Sequence, residues 1–188
     1  MFRTVLAAFV LVAAFGQAAV AAGERYLLIK LKTGTVKIEL LPQLAPKHVE
    51  RAITLAKSGA YNGVAFHRVI GGFMAQTGDV QHGRPESDGT VSRRAGTGGS
   101  DMPDLPAEFT STPFVRGTVG AARSSDPDSA NSQFFITFGD ASWLNGQYTV
   151  WGKVVAGMEH VDQIKKGHPQ SGAMDKPDVM VSVTVSDK

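Results

Sequence analysis

The chain has 188 residues, a formal net charge of +2 and no cysteine. This near balance of charge argues against a nucleic-acid-binding or membrane-surface protein, and the absence of cysteine excludes disulfide bonds. Hydrophobic residues make up 43% of the sequence, which permits one packed core, while 21 glycines and 9 prolines favour short strands and turns over long helices.

The first 22 residues have the pattern of a secretory signal peptide. A positive start, Met1–Arg3, precedes an apolar run, Val5–Phe15, of about eleven residues, and small residues follow at Ala18–Ala22. A membrane anchor is disfavoured because a bilayer span needs about 20 apolar residues. We expect cleavage after Ala21 or Ala22, a periplasmic protein without a stable membrane anchor, and a single domain over residues 23–188.

Alternation of apolar and polar residues predicts the first strands. Tyr26–Lys32 and Thr35–Leu40 flank a turn at Thr33-Gly34, which is a β-hairpin signal. A helix is predicted from Pro46, a residue suited to a first turn, up to Gly59. Further strand-like runs follow at residues 64–70, 73–77, 115–121, 133–138, 148–155 and 179–185, with a second short helix over residues 158–166.

Between the strand-like runs, residues 79–108 form a long polar stretch that is rich in glycine and proline. A loop of this length is usually functional or mobile. Taken alone, the spacing of the elements predicts a β-rich domain with two helices and no repeat.

Three blocks of sequence carry the candidate site. The first is Phe66–Gln76, the second is Ser132–Ile136, and the third is Trp143-Leu144. The first block sets Arg68 among large apolar side chains without a neighbouring carboxylate. Because buried charges are ordinarily paired, such an arginine indicates a desolvated site whose fixed charge faces a ligand.

In this order, the three blocks resemble the cyclophilin family of peptidyl-prolyl cis/trans isomerases. The resemblance extends from about Tyr26 to Val185, with residues 80–95 as an insertion relative to compact members. It implies a mainly β fold: a closed antiparallel eight-stranded β-barrel capped by two α-helices. It also implies a monomer that isomerises X–Pro bonds of exported polypeptides and so assists their folding.

The resemblance also assigns site residues. Arg68 is implied as the catalytic donor, since the matching arginine stabilises the twisted amide of the substrate. The implied substrate-binding residues are Phe73, Met74, Gln76, Ala122, Arg123, Phe135, Trp143, Leu144 and Tyr148. Two of these depart from the family pattern: Arg123 stands where common relatives have asparagine, and Tyr148 stands where many have histidine. Each residue also has an ordinary interpretation, a surface arginine or glutamine or a core apolar side chain.

No cofactor or metal is expected. Isomerisation breaks no bond, and the five histidines are scattered, without cysteine partners or an i, i+4 pair that would indicate zinc. Glycine-rich residues 96–99 lack the remaining features of a phosphate or dinucleotide loop.

Two other functions remain open at this stage. One is a proline-segment-binding chaperone or scaffold with little catalysis, for which proline-containing polypeptides are equally the partners. The other is a small-molecule barrel, which the large residues available to fill the interior disfavour. By the resemblance, Trp143 would also allow a cyclosporin-type macrocycle to bind.

Overall fold

The computed structural model describes residues 25–187, so the predicted signal peptide and cleavage site lie outside the described residues. The elements in chain order are β1 (Tyr26–Lys30), β2 (Thr35–Leu40), α1 (Pro46–Lys57), β3 (Arg68–Ile70), β4 (Met74–Thr77), β5 (Thr118–Ala121), β6 (Phe134–Thr137), a 3-10 turn (Ser142–Leu144), β7 (Val150–Ala156), α2 (Met158–Asp162) and β8 (Ser182–Ser186). Within this described part, no helix is long and apolar enough to cross a bilayer.

The predicted hairpin is confirmed in β1 and β2, which pair antiparallel from Tyr26 opposite Glu39 to Lys30 opposite Thr35. The Leu31 N–H donates to the Gly34 carbonyl at 2.8 Å and closes the turn. Alternate residues of both strands are buried, as a strand with one face on the core requires.

Helix α1 begins at Pro46 as predicted, but its cap comes from far along the chain. Ala45, at the N-cap position, makes no side-chain hydrogen bond to the helix. Instead the Glu108 carboxylate accepts the N–H groups of Lys47 at 3.3 Å and His48 at 3.2 Å. These are otherwise unpaired donors at the positive end of the helix dipole. The helix ends before Gly59, whose φ of 72° favours glycine.

The eight strands form one antiparallel sheet in the order β3-β4-β6-β5-β7-β2-β1-β8. The sheet is curled but open, so the prediction of a closed barrel is wrong. Its end strands, β3 and β8, do not pair with each other. Isolated bridges, Ala65 to Val179 and Arg68 to Ala173, cross the gap between them, as do single backbone hydrogen bonds such as the one from the Gly63 N–H to the Met180 carbonyl at 2.7 Å. The segment opposite β3 contains Gly172, whose φ of 75° is not that of an extended strand, so a continuous ladder does not form there.

The later elements also differ from the prediction in their bounds. Helix α2 ends at Asp162, short of the predicted residue 166, and β8 begins at Ser182. Helix α1 packs against β7 and β8, and α2 packs against β2. Residues 79–108 contain neither a helix nor a strand, as their composition predicted.

The core gathers around β6. Phe134 is buried and meets the rings of Tyr61 and Trp151 edge-on, at centroid distances of 5.6 and 5.4 Å. The Tyr61 hydroxyl donates to the Ser132 carbonyl at 2.8 Å, so this buried polar group is satisfied. Phe135 belongs to a separate apolar cluster on the other face of the sheet, as the alternation of side chains along a strand requires.

We expect Phe134→Ala to lower the free energy of unfolding by about 3–5 kcal/mol, because it leaves a cavity between two aromatic rings. The matched control is Phe109→Ala, whose side chain is 39% exposed and should cost less than about 0.5 kcal/mol. Urea unfolding of both variants measures the difference. Equal losses in the two variants would contradict this description of the core.

Candidate active site

A cavity of about 180 Å³ opens on the face of the sheet opposite the main core. Its lining contains nine of the ten residues predicted for the site: Arg68, Phe73, Met74, Gln76, Ala122, Arg123, Phe135, Leu144 and Tyr148. We call it the apolar cavity. The tenth residue, Trp143, is outside this lining; it is 58% exposed, and its ring lies 5.4 Å from that of Phe73.

Strand register brings these side chains together. Arg68 of β3 lies opposite Gln76 of β4, Gln76 lies opposite Phe135 of β6, and Phe135 lies opposite Gly120 of β5. Directly opposed residues in antiparallel strands project to the same face. One row across four strands therefore supplies a cation, an amide, an aromatic ring and a position without a side chain.

The Arg68 guanidinium is held by neutral groups. It donates to the Gln76 side-chain oxygen at 3.3 Å, to the Ser171 carbonyl at 3.2 Å and towards the Met74 sulfur at 3.8 Å. Among residues 25–187 it forms no ion pair with a carboxylate. The pKa of Arg68 is lowered overall, because the effect of burial outweighs that of the nearby Tyr148, which raises the pKa. An arginine nevertheless stays protonated in proteins, so the cavity contains a fixed positive charge.

A chain of hydrogen bonds fixes Gln76. Its side-chain amide donates to the Gln133 side-chain oxygen at 3.0 Å, and Gln133 in turn donates to the carbonyls of Gly96 at 3.0 Å and Gly98 at 2.8 Å. Sequence reasoning did not assign Gln133 to the site. Strand alternation could have found it, because it lies two residues before Phe135 and projects to the same face.

The glycine-rich segment behind Gln133 is anchored by Asp79. This buried carboxylate accepts the N–H groups of Gly96 at 2.7 Å, Gly98 at 3.0 Å, His82 at 2.8 Å and Gln81 at 3.1 Å. Desolvation raises the pKa of Asp79, but the four backbone donors together outweigh it and lower the pKa. Residues 96–99, which as a sequence resembled an incomplete phosphate loop, are a wall of the site.

Aromatic packing shapes the apolar side. The Phe135 ring is stacked with Phe114 at a centroid distance of 5.6 Å and meets Tyr148 edge-on at 5.8 Å. The Arg123 guanidinium lies over the Tyr148 ring, 4.5 Å from its centroid. Phe114 was not predicted, because its role as the support of Phe135 arises from a contact between distant segments.

A second cavity, of about 490 Å³, adjoins the first. We call it the polar cavity. It shares Gln76, Ala122 and Arg123 with the apolar cavity. Hydroxyl, amide and glycine residues and one carboxylate complete it: Gly96, Thr97, Gly98, Gly99, Ser100, Asp104, Ser124, Ser129, Asn131 and Gln133. Together the two cavities form a groove with one apolar end and one polar end.

Comparison with known proteins identifies the family. The family model for cyclophilin type peptidyl-prolyl cis-trans isomerases matches residues 26–185. The chain belongs to the cyclophilin family of peptidyl-prolyl cis/trans isomerases. Its activity is therefore the isomerisation of proline peptide bonds.

Relatives agree with this assignment over nearly the whole chain. The isomerase is 57% identical to a probable peptidyl-prolyl cis-trans isomerase of Brucella suis biovar 1 (strain 1330), over 97% of this chain and 95% of that protein. It is 34% identical to peptidyl-prolyl cis-trans isomerase A of Dickeya dadantii (strain 3937), over the full length of both.

A solved structure shares the fold. It is a cyclophilin type peptidyl-prolyl cis-trans isomerase of Cryptosporidium parvum in the presence of the dipeptide Ala-Pro. Its TM-score is 0.72 at 25% identity, and the match covers 86% of this chain and 98% of that chain.

We expect Gly120→Ala to distort the apolar cavity of the isomerase. A Cβ at this position would lie 2.6 Å from ring atoms of both Phe135 and Phe114, so one ring must move, at a cost of about 1–3 kcal/mol in unfolding free energy. The displaced Phe135 should also lower kcat/KM for a proline peptide.

The matched control is Gly139→Ala, whose added Cβ would meet only the Gly72 carbonyl at an ordinary 3.7 Å. Urea unfolding and a peptide isomerisation assay are run on both variants. Full activity and stability of the Gly120→Ala protein would show that Phe135 is not constrained as described.

Proposed function

We propose that the isomerase acts on X–Pro bonds of exported polypeptides, with the proline ring in the apolar cavity and Arg68 as the catalytic donor. The observation that carries the proposal is a guanidinium with only neutral partners, directed along the wall of a small apolar cavity. The chain supplies a charge whose main remaining interaction is with whatever occupies that cavity.

The chemistry needs little more than this arrangement. Rotation about an X–Pro bond has a barrier near 20 kcal/mol, because the amide loses its resonance in the twisted state. Uncatalysed exchange takes tens to hundreds of seconds. A turnover near 10³ per second requires about 10⁵-fold acceleration, or roughly 7 kcal/mol. No bond breaks, so neither a nucleophile nor a proton transfer is needed.

In this proposal, Arg68 stabilises the transition state. In the twisted amide the proline nitrogen becomes pyramidal and gains a lone pair, which a guanidinium N–H can bind more strongly than it binds the planar ground state. A charge-assisted hydrogen bond in a desolvated cavity is worth about 2–4 kcal/mol when it forms only in the transition state. The bond from Arg68 to Gln76 holds the donor in place before the substrate arrives.

The remaining residues hold the substrate. Phe73, Met74, Phe135 and Leu144 grip the proline ring, and Gln76, fixed by Gln133, is placed to bind a substrate carbonyl. The Ala122 N–H already donates to the Gln133 carbonyl at 2.9 Å. Main-chain pairing with an extended substrate therefore uses the other backbone groups of Ala122-Arg123.

We expect Arg68→Ala to reduce kcat/KM by about 10²–10³-fold, the cost of losing one preorganised donor. Tyr148→Phe is the comparison within the same cavity: it keeps the flat ring against Phe135, and since no proton moves in the reaction it should keep most activity. Both are measured by isomerisation of an X–Pro peptide, with unfolding curves to verify folding.

The same experiment separates the isomerase from a proline-binding chaperone with little catalysis. An active wild type that retains full activity as Arg68→Ala would exclude Arg68 as the donor. A wild type that binds the peptide without speeding its exchange would favour the chaperone or scaffold.

Export is the second part of the proposal. Support comes from the first 22 residues: a positive start, an apolar run too short to span a bilayer, and small residues at Ala18–Ala22. The substrates of an exported isomerase are polypeptides that fold outside the cytoplasm, in the periplasm of a host with two membranes.

We expect N-terminal sequencing of the expressed protein to find a start at Ala22 or Gly23, after cleavage behind Ala21 or Ala22. The fraction outside the cytoplasm should contain the shortened form. Recovery of intact Met1 on a membrane-bound product would exclude the proposed processing.

A cyclosporin-type macrocycle is the third partner of the proposal, and Trp143 is the residue that would bind it. The indole is 58% exposed at the rim of the apolar cavity and lies against Phe73. It offers a large apolar surface with one N–H donor, which suits a ligand rich in methyl groups and carbonyls.

We expect titration with a cyclosporin-type macrocycle to change tryptophan fluorescence and to inhibit isomerisation competitively. Trp143→Phe should weaken inhibition more than catalysis, because Trp143 does not line the apolar cavity. The buried Trp151 remains in this variant, so its residual fluorescence gives the background signal. Absence of both quenching and inhibition at high macrocycle concentration would exclude this partner.

A further inference from the structure

The side chain of Arg123 stands where the two cavities meet. It lines the apolar cavity together with Arg68, and it lines the polar cavity together with residues 96–100. Only Gln76 and Ala122 share this double position, so a substrate that occupies both cavities lies against Arg123. Arg123 is therefore in a position to select the residues that flank the proline.

Several contacts orient the Arg123 guanidinium. It donates to the Gln147 carbonyl at 2.8 Å, to the Ser124 carbonyl at 2.8 Å and, more weakly, to the Ser125 carbonyl at 3.4 Å, and it is stacked on the Tyr148 ring. All of these partners are neutral. Within residues 25–187, Arg123 forms no ion pair, so its charge is oriented but not neutralised.

Among the residues that line the two cavities, two carry a positive charge and one carries a negative charge. The lining of the apolar cavity contains two arginines and no Asp or Glu, and the lining of the polar cavity contains a single carboxylate, Asp104. Asp104 accepts an N–H from Asn131 at 2.8 Å, and its charge also acts on Arg51. The junction of the cavities is consequently positive.

An extended substrate determines which of its side chains meets this charge. In an extended chain, neighbouring side chains point to opposite faces, and alternate side chains share a face about 6.6 Å apart. With the proline ring in the apolar cavity, the adjacent residues point away from the groove. The residue two positions along the chain points into the polar cavity, beside Arg123.

We infer that Arg123 makes the isomerase select substrates with an acidic side chain two residues from the proline, on the side that crosses the polar cavity. A carboxylate at this position is attracted by the unpaired charge of Arg123 and, at longer range, by the charge of Arg68. The gain exists in the bound state only, so it should appear in kcat/KM. This inference rests on the proposed placement of the proline ring in the apolar cavity.

The experiment compares matched peptides that carry Glu or Gln at a single position. The positions are two before, one before, one after and two after the proline, and the isomerisation rate is measured at low ionic strength. For wild type we expect the Glu peptide to exceed the Gln peptide about three- to tenfold at one of the two outer positions, the scale of a partly exposed ion pair. Raising the salt concentration should reduce the ratio because exposed charges are screened.

Arg123→Gln should bring the Glu-to-Gln ratio to about one, whatever the variant does to the rate on the neutral peptide. Arg123→Lys should retain part of the ratio, since it keeps the charge but loses the planar stack and its fixed orientation. The matched control is Lys153→Gln, which removes the same charge from the exposed side of β7 and should leave the ratio unchanged.

Two results would overturn the inference. One is equal rates for Glu and Gln peptides at both outer positions in an active wild type. This result would contradict the inference about Arg123 but not the proposed function. The other is a Glu preference that survives in Arg123→Gln or that disappears equally in Lys153→Gln, since the preference would then reflect net charge. Failure of the wild type to isomerise even the Gln peptides would instead contradict the proposed function, and the inference with it.

Discussion

The site depends on the register of β6 between β4 and β5. Phe134 and Phe135 are neighbours on this strand and must face opposite sides. Phe134 fills the core between Tyr61 and Trp151, while Phe135 forms the floor of the apolar cavity. A slip of one residue would exchange the two rings, and it would remove Gln133 from the same face. Burial of Phe134 thus fixes the position of Phe135 in the apolar cavity.

The polar wall of the groove has a different kind of support. Residues 79–108 have no helix or strand, so their backbone groups need partners other than those of a regular helix or sheet. Two charged side chains supply several of them: Asp79, within the segment itself, accepts four of its N–H groups, and Arg51 of α1 donates to the Pro103 carbonyl. Because one end of this network reaches Gln133 and Gln76, the long loop also positions Arg68.

Two arginines with neutral partners determine the electrostatics of the groove. Arg68 and Arg123 are both held by neutral acceptors, so no local ion pair neutralises their positive charge in the groove. One cation lies beside the proposed position of the proline ring and the other beside the flanking residue. In the two proposals made above, the same physical arrangement raises the rate in one place and selects the substrate in the other.

Local patterns determined much of this protein. The β1–β2 hairpin, the start of α1 at Pro46 and the opposite faces of Phe134 and Phe135 follow from periodicity and turn chemistry. The family resemblance that the sequence blocks carry assigned nine residues of the apolar cavity. Only the tertiary structure decided that the sheet stays open, that Glu108 caps α1, and that Phe114, Gln133 and Asp79 support the site. Each of these depends on contacts between segments that are distant in sequence, and the energy of such contacts leaves no periodic trace in the chain.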